Sequence, residues 1–303
     1  MHSTGSFLLT VIERVRAYLD EATLDAKFTN DYLTRHVICP EMVNVMSRLS
    51  NNADNLIRVR HQISLVDGQE HYVLPPNIGE IYRFAITDEE GRITREFLPR
   101  NEFNPRGPGW QIQGNVLSLR PFPAENETAD IHYIPNGDFQ PHYDADGGTF
   151  SNSTTFVFDA SPTIGAIDNR ENAYAGAVLR VWTKTSHAVL EERIIESYDA
   201  STRTATVRRP FTTDVSSSHA EGGMRYEVAP IGMNSLIQAI ACASAMNLGT
   251  SRNITQKQMQ FVILQYKTAM KTIGDNFSFM QARKPKSYEK DTVDNRTFYL
   301  FGD

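Results

Sequence analysis

IRVRHQISLV, residues 57–66, is where the apolar period of the chain changes. Before it, Phe7, Leu8, Val11, Ile12, Val15 and Leu19 recur at helical spacing, with Glu13, Arg14 and Arg16 opposite, so residues 7–20 read as a helix with one buried face. Residues 30–49 repeat the pattern through Leu33, Val37 and Ile38 and then Met42, Val45, Met46 and Leu49. Pro40 divides those two groups, and because proline removes a helix hydrogen bond, a kink or restart is expected there. From residue 57 onward apolar and polar residues alternate, the period of a strand.

Asp67-Gly68 is a turn signal, HYVLP resumes a strand, and IGEIYRFAITDEEGRITREFL reads as a hairpin about Asp88 to Gly91. Two short strands flank Gly114-Asn115, and ADIHYIP supplies another, so six or seven strands are expected between residues 57 and 135, enough for a small barrel or sandwich. PNGDFQPHYDADGGTFSNS, residues 135–153, reads as a link between domains because proline, glycine and small polar residues accumulate there. A second β segment contains TTFVFDA, AGAVLRVWTKT, the hairpin ERIIESYDASTRTATVRRPF at residues 192–211, and GMRYEVAPI.

Helical spacing returns at residue 232. Ser235 with Gln238, and Thr255 with Gln258, have the spacing of capping boxes, and Gly249 reads as a helix stop between them. Met259, Val262, Ile263, Tyr266, Met270 and Ile273 then form one face of a last helix. The expected class is α+β and multidomain. Residues 1–56 and 231–276 would form a discontinuous helical bundle, interrupted by two successive all-β insertions, a small barrel or sandwich at 57–140 and a sandwich-like module at 148–230. Residues 277–303 read as an extended C-terminal arm.

The 303-residue chain is 40% hydrophobic and 22% charged, an ordinary globular composition. No apolar run approaches the roughly 20 residues of a membrane span, and the amphipathic N-terminal stretch does not read as a signal peptide. Cys39 and Cys242 lie in apolar helical contexts without disulfide-framework or zinc spacing, as expected of buried thiols in a reducing cytoplasm. The net charge of −6 disfavours tight wrapping of DNA. That charge is uneven: residues 59–145 carry 7 basic and 13 acidic side chains, and residues 231–280 carry 4 basic and 1 acidic.

Candidate chemistry is sparse. His61, His71 and His132 fall in or beside strands and read as structural or surface groups. Asp144 and Asp146 sit in a DADGG stretch, but a calcium loop with Gly147 at its glycine position would need His142 and Ser153 as ligands, so a plain acidic turn is expected. Gly107 and Gly109 are too few for a phosphate cradle. Glu191, Glu192 and Glu196 could supply paired carboxylates, yet Glu192 and Glu196 share a strand face with Ile194 and Tyr198, as on a solvated surface. No catalytic, cofactor or metal residue is assigned, and the chain is not read as an enzyme. The arm offers Arg283, Lys284, Lys286 and Tyr288, then Phe298, Tyr299 and Phe301, a basic and aromatic set suited to docking on a protein neighbour.

Gly68, Gln69, Tyr72, Leu74 and Pro75 form a Gly-Gln-x-x-Tyr-x-Leu-Pro phrase, followed by an isoleucine-rich strand and by NVLSLRPFPAENETADIHYIP. In the α, β, β, α, arm order, this resembles the head-to-tail adaptor proteins of tailed bacteriophages, including the tail tubular protein A type, over residues 1–140 and 231–280. Residues 148–230 resemble a small β module recurrent in phage neck and tail proteins, although KTSHAVL stands where that module has a glycine-rich link. The resemblance implies a virion protein at the head–tail junction: a ring of twelve copies beneath the portal protein that extends the DNA channel and docks the tail or nozzle. It implies portal and tail proteins as partners, transient non-specific contact with genomic DNA, no cofactor, no membrane, and synthesis in the host cytoplasm. The arm residues named above would contact the portal. A different reading makes residues 148–230 a carbohydrate- or receptor-binding tail module with Trp182, Tyr198 and Phe211 as stacking surfaces.

Overall fold

A computed structural model describes residues 5–21, 27–50, 59–96, 99, 108–124, 127–182, 191–212, 224–230, 234–252 and 254–282; within these, the side chains of 49, 50, 250–252 and 275–282 are not described. The architecture is mixed α and β, with helices packed on a six-stranded β-barrel and a further β unit of two sheets beside it.

The N-terminal helices are α1 (Phe7–Tyr18), α2 (Asn30–Leu33) and α3 (Cys39–Ser50). α1 buries Phe7, Leu8, Val11, Ile12 and Val15, as its spacing predicts. Arg16, expected on the opposite face, is instead buried, where its guanidinium donates to Glu21, to the Phe28 carbonyl and to Asn30. The proline break takes a specific form. Residues Thr34–Ile38 widen into a π-turn in which the Cys39 N–H reaches back to the Thr34 carbonyl, which lets the chain carry Pro40 into α3 without an α-helical donor there.

Among the described residues, seven strands lie between 59 and 135. β1 (Val59–Ser64), β7 (Thr128–Pro135), β3 (Ile78–Thr87) and β4 (Ile93–Glu96) form one antiparallel sheet in that order, and β2 (His71–Val73), β6 (Val116–Arg120) and β5 (Gly109–Gln113) form a second. Tyr72, Leu117 and Leu119 from the second sheet join Phe84, Ile86, Ile131 and Tyr133 from the first in one core. All three expected turns are present, with Gly68, Gly91 and Gly114 in the left-handed region that glycine tolerates.

The second β segment differs from expectation twice. Its strands are β8 (His142–Asn152), β9 (Thr155–Val157), β10 (Ile164–Gly165), β11 (Val178–Trp182), β12 (Glu191–Asp199), β13 (Thr204–Val207) and β14 (Met224–Ala229). Pairing runs β8, β14, β11, β12, β13, β9 and back to β8, so the sheet closes on itself as a barrel rather than forming a sandwich, with β10 added beside β8. The stretch read as a link contains β8, at 11 residues the longest strand here, which pairs with β14 over its first part and with β9 over its last. Gly147 and Gly148 are not turn residues. A Cβ on Gly148 would lie 2.3 Å from Phe156 Cζ and 2.5 Å from Tyr226, so glycine lets aromatic rings close the barrel wall.

The barrel is filled, as small barrels are. Phe156, Phe158, Tyr174, Tyr198 and Tyr226 are all buried, with Phe158 stacked on Tyr226 at 5.4 Å and edge-on to Tyr174 at 5.5 Å. His142 stands edge-on to Phe158, Tyr174 and Tyr226, at 5.1, 5.3 and 5.5 Å.

The C-terminal helices are α4 (Asn234–Arg252) and α5 (Gln256–Ala282). α4 packs against α1, α3 and α5, and its Leu236, Ile237, Ile240 and Cys242 belong to the same continuous core as α1, α3 and the barrel. Thr255 and Gln258 form the expected capping box: each backbone N–H donates to the other's side chain, at 3.0 and 3.2 Å. The other proposed box is not formed by Gln238, which turns to Arg14 and Tyr18 of α1, and Gly249 does not end α4. Gly249 instead permits close approach, since a Cβ there would meet Met259 at 2.6 Å and Ile254 at 2.7 Å.

Among the polar contacts that tie the units together, two are buried joints on the barrel. Glu227 on β14 is fully buried and accepts from Ser6 Oγ (2.7 Å), Phe7 N (2.9 Å) and Leu8 N (2.5 Å), the unsatisfied donors at the start of α1. Ser6 Oγ accepts from Leu9 N in turn, at 3.1 Å, and the carboxylate opposes the positive end of the helix dipole. Arg180 lies 3.5 Å from Glu227, an ionic contact too long for a good hydrogen bond, and its Nε is 3.3 Å from Glu192. At the second joint, Asn77 and Tyr133 of the two-sheet unit both donate to the Ala175 carbonyl. Gly176 beside it has φ +86°, and a Cβ would lie 2.7 Å from Val59, so the approach requires glycine.

Candidate interaction surface

Glu191, Glu192 and Glu196 are not brought together as paired carboxylates. Glu191 Oε2 is 2.6 Å from Arg193, Glu192 Oε2 is 3.3 Å from Arg180, and Glu196 Oε1 is 3.9 Å from Arg208, so each carboxylate faces its own arginine rather than another carboxylate across a cleft. A bulge between Ile195 and Ser197 also changes the face expected for Tyr198. Glu192 and Ile194 point outward while Ile195 and Tyr198 point into the barrel.

Trp182, Tyr198 and Phe211, the rings considered as sugar platforms, are 4%, 1% and 3% exposed, which removes them as stacking surfaces. Asp144 is a strand residue whose carboxylate accepts from Gly147 N (2.6 Å) and Thr163 Oγ1 (2.8 Å). Among the described residues no three His, Cys, Asp or Glu side chains gather as a metal site. Both cysteines are free and buried, and burial pushes the Cys39 thiol up to about 11. His61 and His142 are buried, and desolvation holds each imidazole down to about 4, neutral at physiological pH. Arg283, Lys284, Lys286, Tyr288, Phe298, Tyr299 and Phe301 lie outside the described residues, as does KTSHAVL at 184–190.

What the structure adds is on the outer side of α5. Val262, Ala269 and Ile273 are buried, with Tyr266 and Met270 packed at the edge of the core. At 100° per residue, Leu264 then sits at the middle of the opposite face, flanked by Lys257, Gln260, Phe261, Lys267, Thr268 and Lys271. Leu264 is 60% and Phe261 53% exposed, and the run from Ile254 to Gly274 contains no acidic residue. The face is therefore cationic with an apolar centre. Its sequence signal was available: Phe261 and Leu264 are three residues apart and fall off the stripe made by Val262, Tyr266 and Ile273.

A groove of about 330 Å³ lies elsewhere on the same helices, between α3, α4 and α5. Val45, Ala243 and Met246 are its apolar lining, and Glu41, Asn44, Arg48, Asn247 and Tyr266 its polar one. Glu41 accepts from Asn247 at 2.8 Å, while Arg48 donates to the Tyr266 hydroxyl at 3.0 Å. Glu41 and Arg48 are two turns apart on α3, about 10 Å at 1.5 Å per residue. The size is that of a small ligand pocket or of one or two inserted side chains.

No protein-family model and no curated protein matches the chain. No helix among the described residues is long and apolar enough to cross a membrane.

Proposed function

We propose that the chain is a structural subunit of a tailed-phage neck, a head-to-tail adaptor that assembles as a ring under the portal protein, extends the DNA channel and docks the tail or nozzle. The observation that carries this reading is the joining of the two chain ends. α1 and α3 share a core with α4 and α5, so the chain leaves the helical end into the β units and returns to it. In this reading the helices form a discontinuous bundle and the two β units are successive insertions into it. The exposed helical face on α5 supports contact with other subunits rather than an isolated life in solution.

The charge balance fits a conduit. A ring of twelve subunits, each of net charge −6, would surround DNA with a repulsive field and keep it mobile in the channel. The arm expected at 277–303 starts later, because α5 continues as helix to Ala282; the residues beyond it, with Arg283, Lys284, Lys286, Tyr288, Phe298, Tyr299 and Phe301, are assigned to the portal contact.

Electron micrographs of the purified protein, alone and with the portal protein of the same phage, test the reading. Rings, formed alone or only on the portal, are expected; their absence in both samples would overturn it. Deleting residues 281–303 should leave a folded chain that no longer binds portal, and undiminished binding would remove the arm from the interface.

A further inference from the structure

We infer that the apolar centre of the α5 stripe, Leu264 with Phe261, inserts into the α3–α4–α5 groove of a second copy of this chain. The inference rests on the ring reading and names the contact that would build the ring.

Three observations select a second copy bound head to tail. First, the stripe cannot pair with itself. Two copies meeting stripe to stripe would bring Lys257, Lys267 and Lys271 against the same three lysines with no carboxylate between Ile254 and Gly274 to offset them, and like charges at an interface select against that pairing. Second, the groove supplies what the stripe lacks. Its floor is apolar, α4 carries no charged residue from Asn234 to Gly249, and Glu41 and Arg48 are two turns apart on α3, so a lysine flanking Leu264 meets the groove at its Glu41 end, away from Arg48. Third, stripe and groove are on different sides of one helix: Leu264 and Tyr266 are about 160° apart around α5 at 100° per residue. Two different patches that fit each other on one subunit make a heterologous contact, which propagates from copy to copy and closes into a ring when the rotation allows.

Cysteine pairs on the full chain test this directly. Asn44 borders the groove, while Gln260 and Thr268 lie one turn either side of Leu264, so N44C is combined with Q260C in one variant and with T268C in another, because the inserted helix can run in either direction. The native Cys39 and Cys242 are buried and do not compete. After oxidation at high protein concentration, and again on portal where rings form only there, one double variant should give a ladder of dimer, trimer and larger species on a non-reducing gel. L264E in that background should abolish the ladder, whereas L264M should keep it; a residue this exposed can be replaced without unfolding the chain.

Dimers from Q260C or T268C alone would show stripe-to-stripe pairing and overturn the inference. Rings that persist with L264E and give no ladder would also overturn it while leaving the adaptor reading intact. No association under any condition would sink both.

Discussion

Replacing Glu227 by Ala should unfasten α1 from the barrel. The carboxylate is fully buried and accepts three hydrogen bonds, from Ser6 Oγ, Phe7 N and Leu8 N, while Arg180, 3% exposed, stands 3.5 Å away. Removing one partner of a buried charged pair costs about 3–5 kcal/mol, because the remaining charge stays out of water. Two backbone donors are orphaned at the same time, and losses within one network do not simply add, so about 4 kcal/mol is the working figure. That is a large fraction of the roughly 5–15 kcal/mol by which native proteins are stable. With a urea m-value of about 2–3 kcal/mol/M, the midpoint falls by about 1.5 M. The two tryptophans report separately, since Trp182 lies in the helix and barrel core and Trp110 packs on the core of the two-sheet unit. In a W110F background, Glu227→Ala should shift the Trp182 transition by that amount; in a W182F background, the Trp110 transition should move less. A Trp182 shift below about 0.4 M, or about 1 kcal/mol, with α1 amides still protected from exchange, would refute the latch. Glu227→Leu combined with Arg180→Met should recover much of the loss, because it removes both charges together.

Gly148→Ala should destabilise the barrel by about 1–3 kcal/mol or more, since its Cβ would meet Phe156 and Tyr226 inside 2.6 Å; urea unfolding followed by Trp182 measures it. Thr255→Ala removes half of the α5 capping box and should cost about 1 kcal/mol, seen as faster amide exchange in the first turn of that helix. Acid should weaken the fold between pH 6.5 and 4. His61 and His142 are held neutral in the folded chain down to about 4, whereas the unfolded chain takes up protons near 6.5, so their contribution is complete above 6.5 and lost as pH falls through 4. At 1.36 kcal/mol per pKa unit the loss approaches about 3 kcal/mol for each histidine, and urea midpoints at pH 7 and pH 4.5 should show it; unchanged midpoints would mean that neither imidazole is kept neutral by burial.

The readable parts of the fold were those in which local chemistry and burial agree. The α1 stripe, the seven strands between residues 59 and 135, the glycine turns and the Thr255–Gln258 cap each follow from residues close in sequence. The failures involve residues whose role is set by distant neighbours. Asp-Ala-Asp-Gly-Gly has the composition of a turn, but Gly148 is needed because Phe156 and Tyr226 press on that strand from other parts of the chain, and Gly147 because Asp159 does. Arg16 looked like a surface cation and is buried because Glu21, Phe28 and Asn30 return to meet it. Tyr198 lies on the barrel side, opposite to the face that strict alternation predicts, because a bulge at Glu196 interrupts the period of two, and a bulge has no fixed sequence mark. The α5 stripe was legible in principle, since Phe261 and Leu264 fall outside the buried face, but the groove could not be read, as it takes residues from three helices.

The position of Glu227 changes what the barrel is in physical terms. An inserted module that folds by itself would satisfy its own polar groups, yet β14 places a carboxylate on the donors that begin α1, and apolar residues run without interruption from Leu8 through Val228 to Ile240. Helices and barrel thus lose or keep stability together, whereas the two-sheet unit has its own core, meets the barrel through Asn77, Tyr133 and the close approach at Gly176, and touches α3 through β3 and β7. If subunits assemble through α5, distortion of the helices on assembly would be shared with the barrel, and the thinner contacts of the two-sheet unit, at Ala175, Gly176 and α3, are where the chain can yield. The flexible boundary would then fall between the two β units, rather than between the helices and the barrel.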